Sequence, residues 1–202
     1  MNNSSANHAY FAVLRINHIE GITMKLLAFA ASSSRQSINK QLATYAASLV
    51  AAGQEGVVVE VLDINDYEMP IFSQDREAEL GQPEQAQRFF AKIAEADAII
   101  ISFAEHNGSY TAAYKNLFDW TSRIDMKVFQ NTPMVMLATS PGPGGANTVL
   151  TAATTSAPYF AADVKASLSI PSFFDNFDMQ NQQLTNPELL DKLQSAVATL
   201  AQ

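Results

Sequence analysis

Along the chain, short unbroken apolar runs alternate with longer stretches in which apolar residues recur every three or four positions. The first run is KLLAFAA (25–31), and it ends in the turn-rich SSSRQS. From Ile38 to Ala52 the spacing becomes helical, with Leu42, Tyr45, Ala46, Leu49 and Val50 on one face and Gly53 as the stop. VVVEVLDI (57–64) is short and β-branched and reads as a second strand. A polar connection containing proline covers 65–83, after which Ala86, Phe89, Phe90 and Ile93 mark a helix over 84–96. DAIIISFA (97–104) is the most strand-like run in the chain; a parallel strand covered by helices on both faces has this pattern. EHNGSY interrupts, and residues 111–124 return to helix with Tyr114, Leu117, Phe118 and Ile124 along one stripe. TPMVMLATS (132–140) reads as strand four and SPGPGGAN as a loop. A small-residue helix over 145–157 is ended by Pro158, and VKASLSI (164–170) is strand five. Asn186-Pro187-Glu188 opens the last helix as a cap followed by a proline, with Leu189, Leu193, Val197 and Leu200 as its buried face.

Five strands alternating with helices predict a doubly wound α/β domain with a parallel sheet and right-handed crossovers. No internal repeat or low-complexity linker divides the chain, so one domain is expected over 24–202. Residues 1–23 are polar at their start and make a poor secretory signal; they read as an N-terminal extension, with Met24 as a second candidate start. In this class of fold, ligands bind beyond the carboxyl ends of the strands, at the topological switch point. That rule selects three loops: 32–39, 105–110 and 140–147.

Composition narrows what those loops hold. The 202 residues are 48% hydrophobic and 16% charged, a globular balance. No apolar run approaches the roughly 18 residues of a membrane span. A net charge of −8 disfavours a broad nucleic-acid footprint, which needs a basic face. Cysteine is absent, so thiolate metal sites, disulfides and thiol nucleophiles are excluded, and redox chemistry has to come from a bound cofactor. Only His8, His18 and His106 are available as imidazoles, which leaves little from which to build a Ser-His-Asp hydrolase. Neither the histidines nor the acidic residues have metal-ligand spacing.

The first loop, Ser32-Ser33-Ser34-Arg35-Gln36-Ser37-Ile38-Asn39, joins a strand to a helix. Helix N-termini attract anions, and the hydroxyls and one arginine add donors, which describes a phosphate cradle made from side chains. It matches neither the dinucleotide glycine fingerprint nor the nucleotide triphosphate loop. Ordinary helix capping is the competing reading. In the second loop Asn107 donates and accepts at once, Gly108 permits close backbone approach, and His106 and Tyr110 offer ring surface. In the third, Gly142, Gly144 and Gly145 permit unusual dihedrals and exposed amides.

These three segments resemble the NADPH-dependent FMN reductases of the flavodoxin-like superfamily, a group that includes quinone, chromate and azo-dye reductases. FAASSSRQSINKQL is similar to the family's Ser-x-Arg…Ser-x-Asn phosphate loop, EHNGSYTAAYKNLFDW to its P-E-Y-N-x-S…L-K-N-x-x-D-W segment, and SPGPGGA to its glycine-rich third loop. Asn107, Ser109, Lys115, Asn116, Asp119 and Trp120 fall in register. Ala31, Ala104 and His106 depart from the pattern, and the stretch between Arg35 and Ser37 is one residue short of the commonest form.

The resemblance implies a flavodoxin-like, five-stranded parallel sheet of order 2-1-3-4-5 in three layers. It implies FMN as cofactor, NADPH or NADH as donor, and a quinone or similar small acceptor, with hydride passing through the flavin and no catalytic acid or base. Carried over by position, Ser32, Ser34, Arg35, Ser37 and Asn39 hold the phosphate. Glu105, His106, Asn107 and Gly108 line the isoalloxazine, and Ser140, Gly142, Gly144 and Gly145 approach its far side. Lys115, Asn116, Asp119 and Trp120 anchor the helix to neighbouring loops or to a second subunit. Family members are commonly dimers or tetramers, and Phe129, Trp120 and Arg123 are the candidates for that contact. A cytoplasmic enzyme with no nucleic-acid or membrane partner is expected. The alternative is a flavodoxin-type electron carrier, which binds FMN without oxidising NAD(P)H itself; a flavin-free interaction protein is a third reading.

Overall fold

The computed structural model describes residues 24–201; the expected extension over 1–23 lies outside the described residues. Five parallel strands form the sheet: β1 (Met24–Ala31), β2 (Val57–Leu62), β3 (Ala98–Phe103), β4 (Pro133–Thr139) and β5 (Asp163–Ile170). Their order is β2-β1-β3-β4-β5, the doubly wound arrangement. The helices are α1 (Ile38–Gly53), α2 (Gln74–Leu80), α3 (Glu84–Glu95), α4 (Ala112–Ser122), α5 (Asn147–Ser156), the single-turn α6 (Phe173–Asn176) and α7 (Pro187–Ala198).

The unbroken apolar runs follow from the period-two geometry of a strand with both faces covered. Leu26, Ala28, Ile100, Val135 and Leu137 point to one side, where they meet Leu42, Ala46 and Val50 of α1 and Leu193 and Val197 of α7. Leu27, Phe29, Ile99, Ile101 and Met136 point to the other, against Phe89 and Ile93 of α3, Leu117 and Trp120 of α4 and Val149 of α5. Each such Ile, Leu or Phe contributes roughly 1.5–3 kcal/mol on burial. The edge strand β2 is more exposed and carries Glu60, paired with Lys92 of α3.

The helix ends obey local chemistry. Asn186 accepts from the N–H groups of Glu188 and Leu189 ahead of Pro187, as the sequence signal required. After α5 the chain tightens into a 3-10 turn (Ala157–Phe160) that contains Pro158. Several short elements were not anticipated, among them a hairpin pairing Phe177–Asp178 with Gln183–Leu184 and the single-turn α6. The connection 65–83 holds a 3-10 turn (Ile64–Tyr67) and α2, and 105–110 is a miniature antiparallel hairpin.

Candidate functional site

The strand register brings the three loops to one level. Ala31 of β1 faces Phe103 of β3, and Phe103 faces Ala138 of β4. β1 feeds α1 on one face of the sheet and β3 feeds α4 on the other, which makes this the topological switch point at which ligands bind in folds of this class.

The first loop is wound by its own hydroxyls. Ser32 Oγ accepts from the Ser34 N–H at 3.3 Å, Ser34 Oγ accepts from the Gln36 N–H at 3.3 Å, and Ser37 Oγ caps α1 by accepting from the Lys40 N–H at 3.2 Å. Ser32 and Ser37 are buried, while Ser33, Ser34, Arg35 and Gln36 are exposed. A hydroxyl that accepts still has its own proton to donate. Arg35 has no hydrogen bond or ion pair within the described residues. Asn39 is placed differently from the expectation that it touches phosphate. It is 2% exposed, its Nδ2 donates to the Thr139 carbonyl at 3.1 Å, and its Oδ1 accepts from the Thr139 N–H and the Ser102 hydroxyl. The carboxamide is occupied in fastening α1 to the ends of β3 and β4.

The second loop turns on Asn107-Gly108, with φ of 52° and 75°. Positive φ at both central residues is the hairpin turn that Asn-Gly favours, with Glu105–His106 and Ser109–Tyr110 as its arms. Gly108 has open space where a Cβ would stand. His106, Asn107 and Gly108 are exposed at the rim. Glu105 turns inward instead, and its Oε2 accepts from the Val149 N–H at 2.9 Å. The residue before α5, Ala146, offers no side-chain cap, so this carboxylate supplies one and favours the positive end of the helix.

In the third loop the glycines divide. Gly142 and Gly144 have nothing within 4 Å of a notional Cβ and do not have positive φ. Gly145 has φ +57°, and a Cβ there would run into Ser169 Oγ and come within 3.0 Å of the Pro171 nitrogen. Its carbonyl accepts from Ser169 Oγ at 2.8 Å. Glycine is therefore required at 145 for packing against the end of β5. Ser140 Oγ donates to the Gly142 carbonyl at 3.2 Å, and the Gly142 carbonyl also accepts from the Ser172 N–H.

Behind the hairpin, α4 fastens the 69–72 segment. Asn116 Oδ1 accepts from the Phe72 N–H, its Nδ2 donates to the carbonyls of Met69 and Pro70, and Trp120 Nε1 donates to the Pro70 carbonyl at 2.7 Å. Lys115 and Asp119 pair with each other one turn apart. Trp120 is 0% and Phe129 3% exposed, so both lie in the protomer's core and not on a subunit surface as expected. Arg123 is exposed, and its Nε donates to both carboxylate oxygens of Glu77 on α2. Between α4 and α5 lies a groove of about 210 Å³ lined by Phe103, Tyr114, Phe118, Phe129, Met136 and Phe160. Among the described residues no three acidic or histidine side chains are grouped to hold a metal ion, and no helix is long and apolar enough to cross a membrane.

The sequence reading missed Ser102, Thr111 and Thr139, all at most 1% exposed. Thr111 Oγ1 caps α4 and its O–H donates to the Ala31 carbonyl at 3.0 Å. The available signal was a hydroxyl in an otherwise apolar strand or at a helix start, since a buried polar group requires a partner.

Residues 24–175 match the family model of the NADPH-dependent FMN reductases. The chain is 34% identical over 122 residues to a 2-hydroxy-1,4-benzoquinone reductase of a Burkholderia species, covering 60% of this chain and 63% of that one. It is 30% identical over 122 residues to an NADPH:quinone oxidoreductase of Arabidopsis thaliana, covering 60% and 61%. The matches thus span somewhat under two-thirds of these relatives. In structure it is similar to the flavoenzyme NAD(P)H:(acceptor) oxidoreductase FerB of Paracoccus denitrificans, with TM-score 0.67, 22% identity and coverage of 88% and 96%. It is also similar to a flavodoxin of Pseudomonas aeruginosa, with TM-score 0.54, 12% identity and coverage of 89% and 100%. The fold is flavodoxin-like.

Proposed function

The chain belongs to the NADPH-dependent FMN reductase family, and on that premise we propose that it is an NAD(P)H-dependent oxidoreductase that holds FMN across the three strand-end loops and reduces a quinone or similar small acceptor. The observation that carries the reading is the exposed Arg35 guanidinium, without a hydrogen-bond or ion-pair partner among the described residues, on a hydroxyl-rich loop at the start of α1 and at the same end of the sheet as the loop of Gly142 and Gly144. The residues present fit the group: a cationic, donor-rich end suits a phosphate, and loops without side-chain bulk suit a flat ring.

When bound, FMN supplies the redox chemistry between a nicotinamide donor and the acceptor. The protein's residues bind and orient. Ser34 and Arg35 meet the phosphate from the exposed turn, with Ser32 and Ser37 beneath them. His106, Asn107 and Gly108 border the ring on the hairpin side, and Ser140, Gly142 and Gly144 border it opposite. Asn39, Glu105 and Gly145 shape the loops from behind.

The quinone acceptor is suggested by the relatives' names, since 2-hydroxy-1,4-benzoquinone reductase and NADPH:quinone oxidoreductase are among them. A homodimer or homotetramer is part of the reading. The cytoplasm is the compartment proposed, because that is where a reduced nicotinamide donor is supplied.

The test is to purify the protein, supply FMN, and follow oxidation of NADPH and of NADH with and without a quinone. Turnover is expected with at least one donor. FMN binding without donor oxidation would instead identify a flavodoxin-type carrier.

A further inference from the structure

Three side chains link the three loops in pairs. Asn39, from the start of α1, pairs with both backbone groups of Thr139, at the end of β4, through two bonds of 3.1 Å. Thr111, at the start of α4, donates to the Ala31 carbonyl at the end of β1 at 3.0 Å. Glu105, at the root of the hairpin, accepts from the Val149 N–H in the first turn of α5 at 2.9 Å. The first loop is thus fastened to the third, the second to the first, and the second to the third. Asn39 and Thr111 are at most 2% exposed, so neither reaches a ligand from the surface.

We infer that Asn39, Thr111 and Glu105 form a closed ring of cross-loop hydrogen bonds that sets the three loops at their binding separation before any ligand arrives. All three are positioning residues. This rests on the proposed FMN site for its ligand, but the ring is a property of the protein without ligand. Each bond joins a side chain on one element to the backbone of another, so loss of one frees two loops. A buried acceptor left unsatisfied is itself unfavourable, which drives those loops to rearrange. A ligand then has to order loops that the intact ring holds in place, and its affinity falls.

Thr111→Val keeps the shape and removes the hydroxyl; Thr111→Ser restores it. Hydrogen exchange, read by mass spectrometry on the FMN-free protein, is expected to quicken over 32–37 in Thr111→Val and to return to the wild-type rate in Thr111→Ser. FMN dissociation constants are expected to rise on the order of tenfold in the valine variant and to recover in the serine variant. A role confined to capping α4 would quicken exchange only in the first turn of α4 and leave 32–37 unchanged, and that result overturns the ring. So does unchanged FMN affinity in a variant whose loops have opened. If Thr111→Val does not fold, Glu105→Ala against Glu105→Gln gives the same comparison over 140–147, because glutamine keeps an oxygen for the Val149 N–H. Failure of the wild-type protein to bind FMN would instead refute the proposed cofactor, and the exchange data on the ligand-free protein would still decide the ring.

Discussion

Replacing Arg35 by alanine isolates the phosphate end of the proposed site. The side chain is exposed and has no hydrogen-bond or ion-pair partner within the described residues, so its removal breaks no such bond among them. Stability of the ligand-free protein is expected to stay within about 0.5 kcal/mol of wild type. A hydrogen bond between charged groups contributes about 1.5–3 kcal/mol, and exposure of the loop places this one toward the lower end. The FMN dissociation constant should therefore rise roughly tenfold, since about 1.4 kcal/mol corresponds to a factor of ten. Riboflavin has the same ring without the phosphate, so its affinity should be unaffected. Quenching of flavin fluorescence on titration with protein measures both ligands in both proteins. The difference between them separates the phosphate contact from any general disturbance of the loop. Raised salt should reduce the advantage of arginine over alanine for FMN and not for riboflavin. Equal weakening of FMN and riboflavin, or weakening of neither, would refute the assignment of the phosphate to this loop.

Gly145→Ala should cost roughly 2–3 kcal/mol in denaturant unfolding, from the left-handed backbone and the crowding by Ser169 and Pro171, whereas Gly144→Ala, facing open space, should be near neutral. Trp120→Phe keeps a ring beside Phe72 but loses the bond to the Pro70 carbonyl, and should cost about 1–2 kcal/mol by circular dichroism, against about 3–5 kcal/mol for Trp120→Ala. Asp63 is partly desolvated, which alone would raise its pKa, but hydrogen bonds from Lys40 and Asn65 outweigh this and hold it below the ordinary carboxylate value. A lowered folded-state pKa stabilises the protein above the unfolded value and is lost as pH falls through the folded one. Stability measured from neutral pH to below about pH 4 should therefore decline less steeply in Asp63→Asn than in wild type.

The buried strands were legible because burial on both faces leaves no polar position to interrupt the run, and β1, β3 and β4 lie within one residue of their expected ends. α2 was hidden for the opposite reason. It buries no residue, so it has no apolar period, and it is held by the Ser73 cap and the Arg123–Glu77 pair. The 105–110 hairpin did have a local signal in Asn107-Gly108, but arms of two residues are too short to show alternation. Trp120 was named both as an anchor to neighbouring loops, which its bond to the Pro70 carbonyl matches, and as a subunit-contact candidate, which fails because pattern does not reveal that Phe72 and Pro70 fold back over it. The three loops named from the sequence do leave the same end of the sheet, as the strand register shows. The split between residues at the rim and residues beneath it was not visible, because Asn39 and Glu105 are polar for reasons internal to the protein.

The central claim is that a site at these strand ends takes electrons from a nicotinamide donor through bound flavin. The most direct measurement is an anaerobic titration of the FMN-loaded protein with NADPH, and in parallel NADH, following the visible flavin absorption. The flavin band is expected to bleach with at least one donor and to return when a quinone is added. A flavin band that stays unchanged with both donors, in protein that has demonstrably bound FMN, would contradict the central claim.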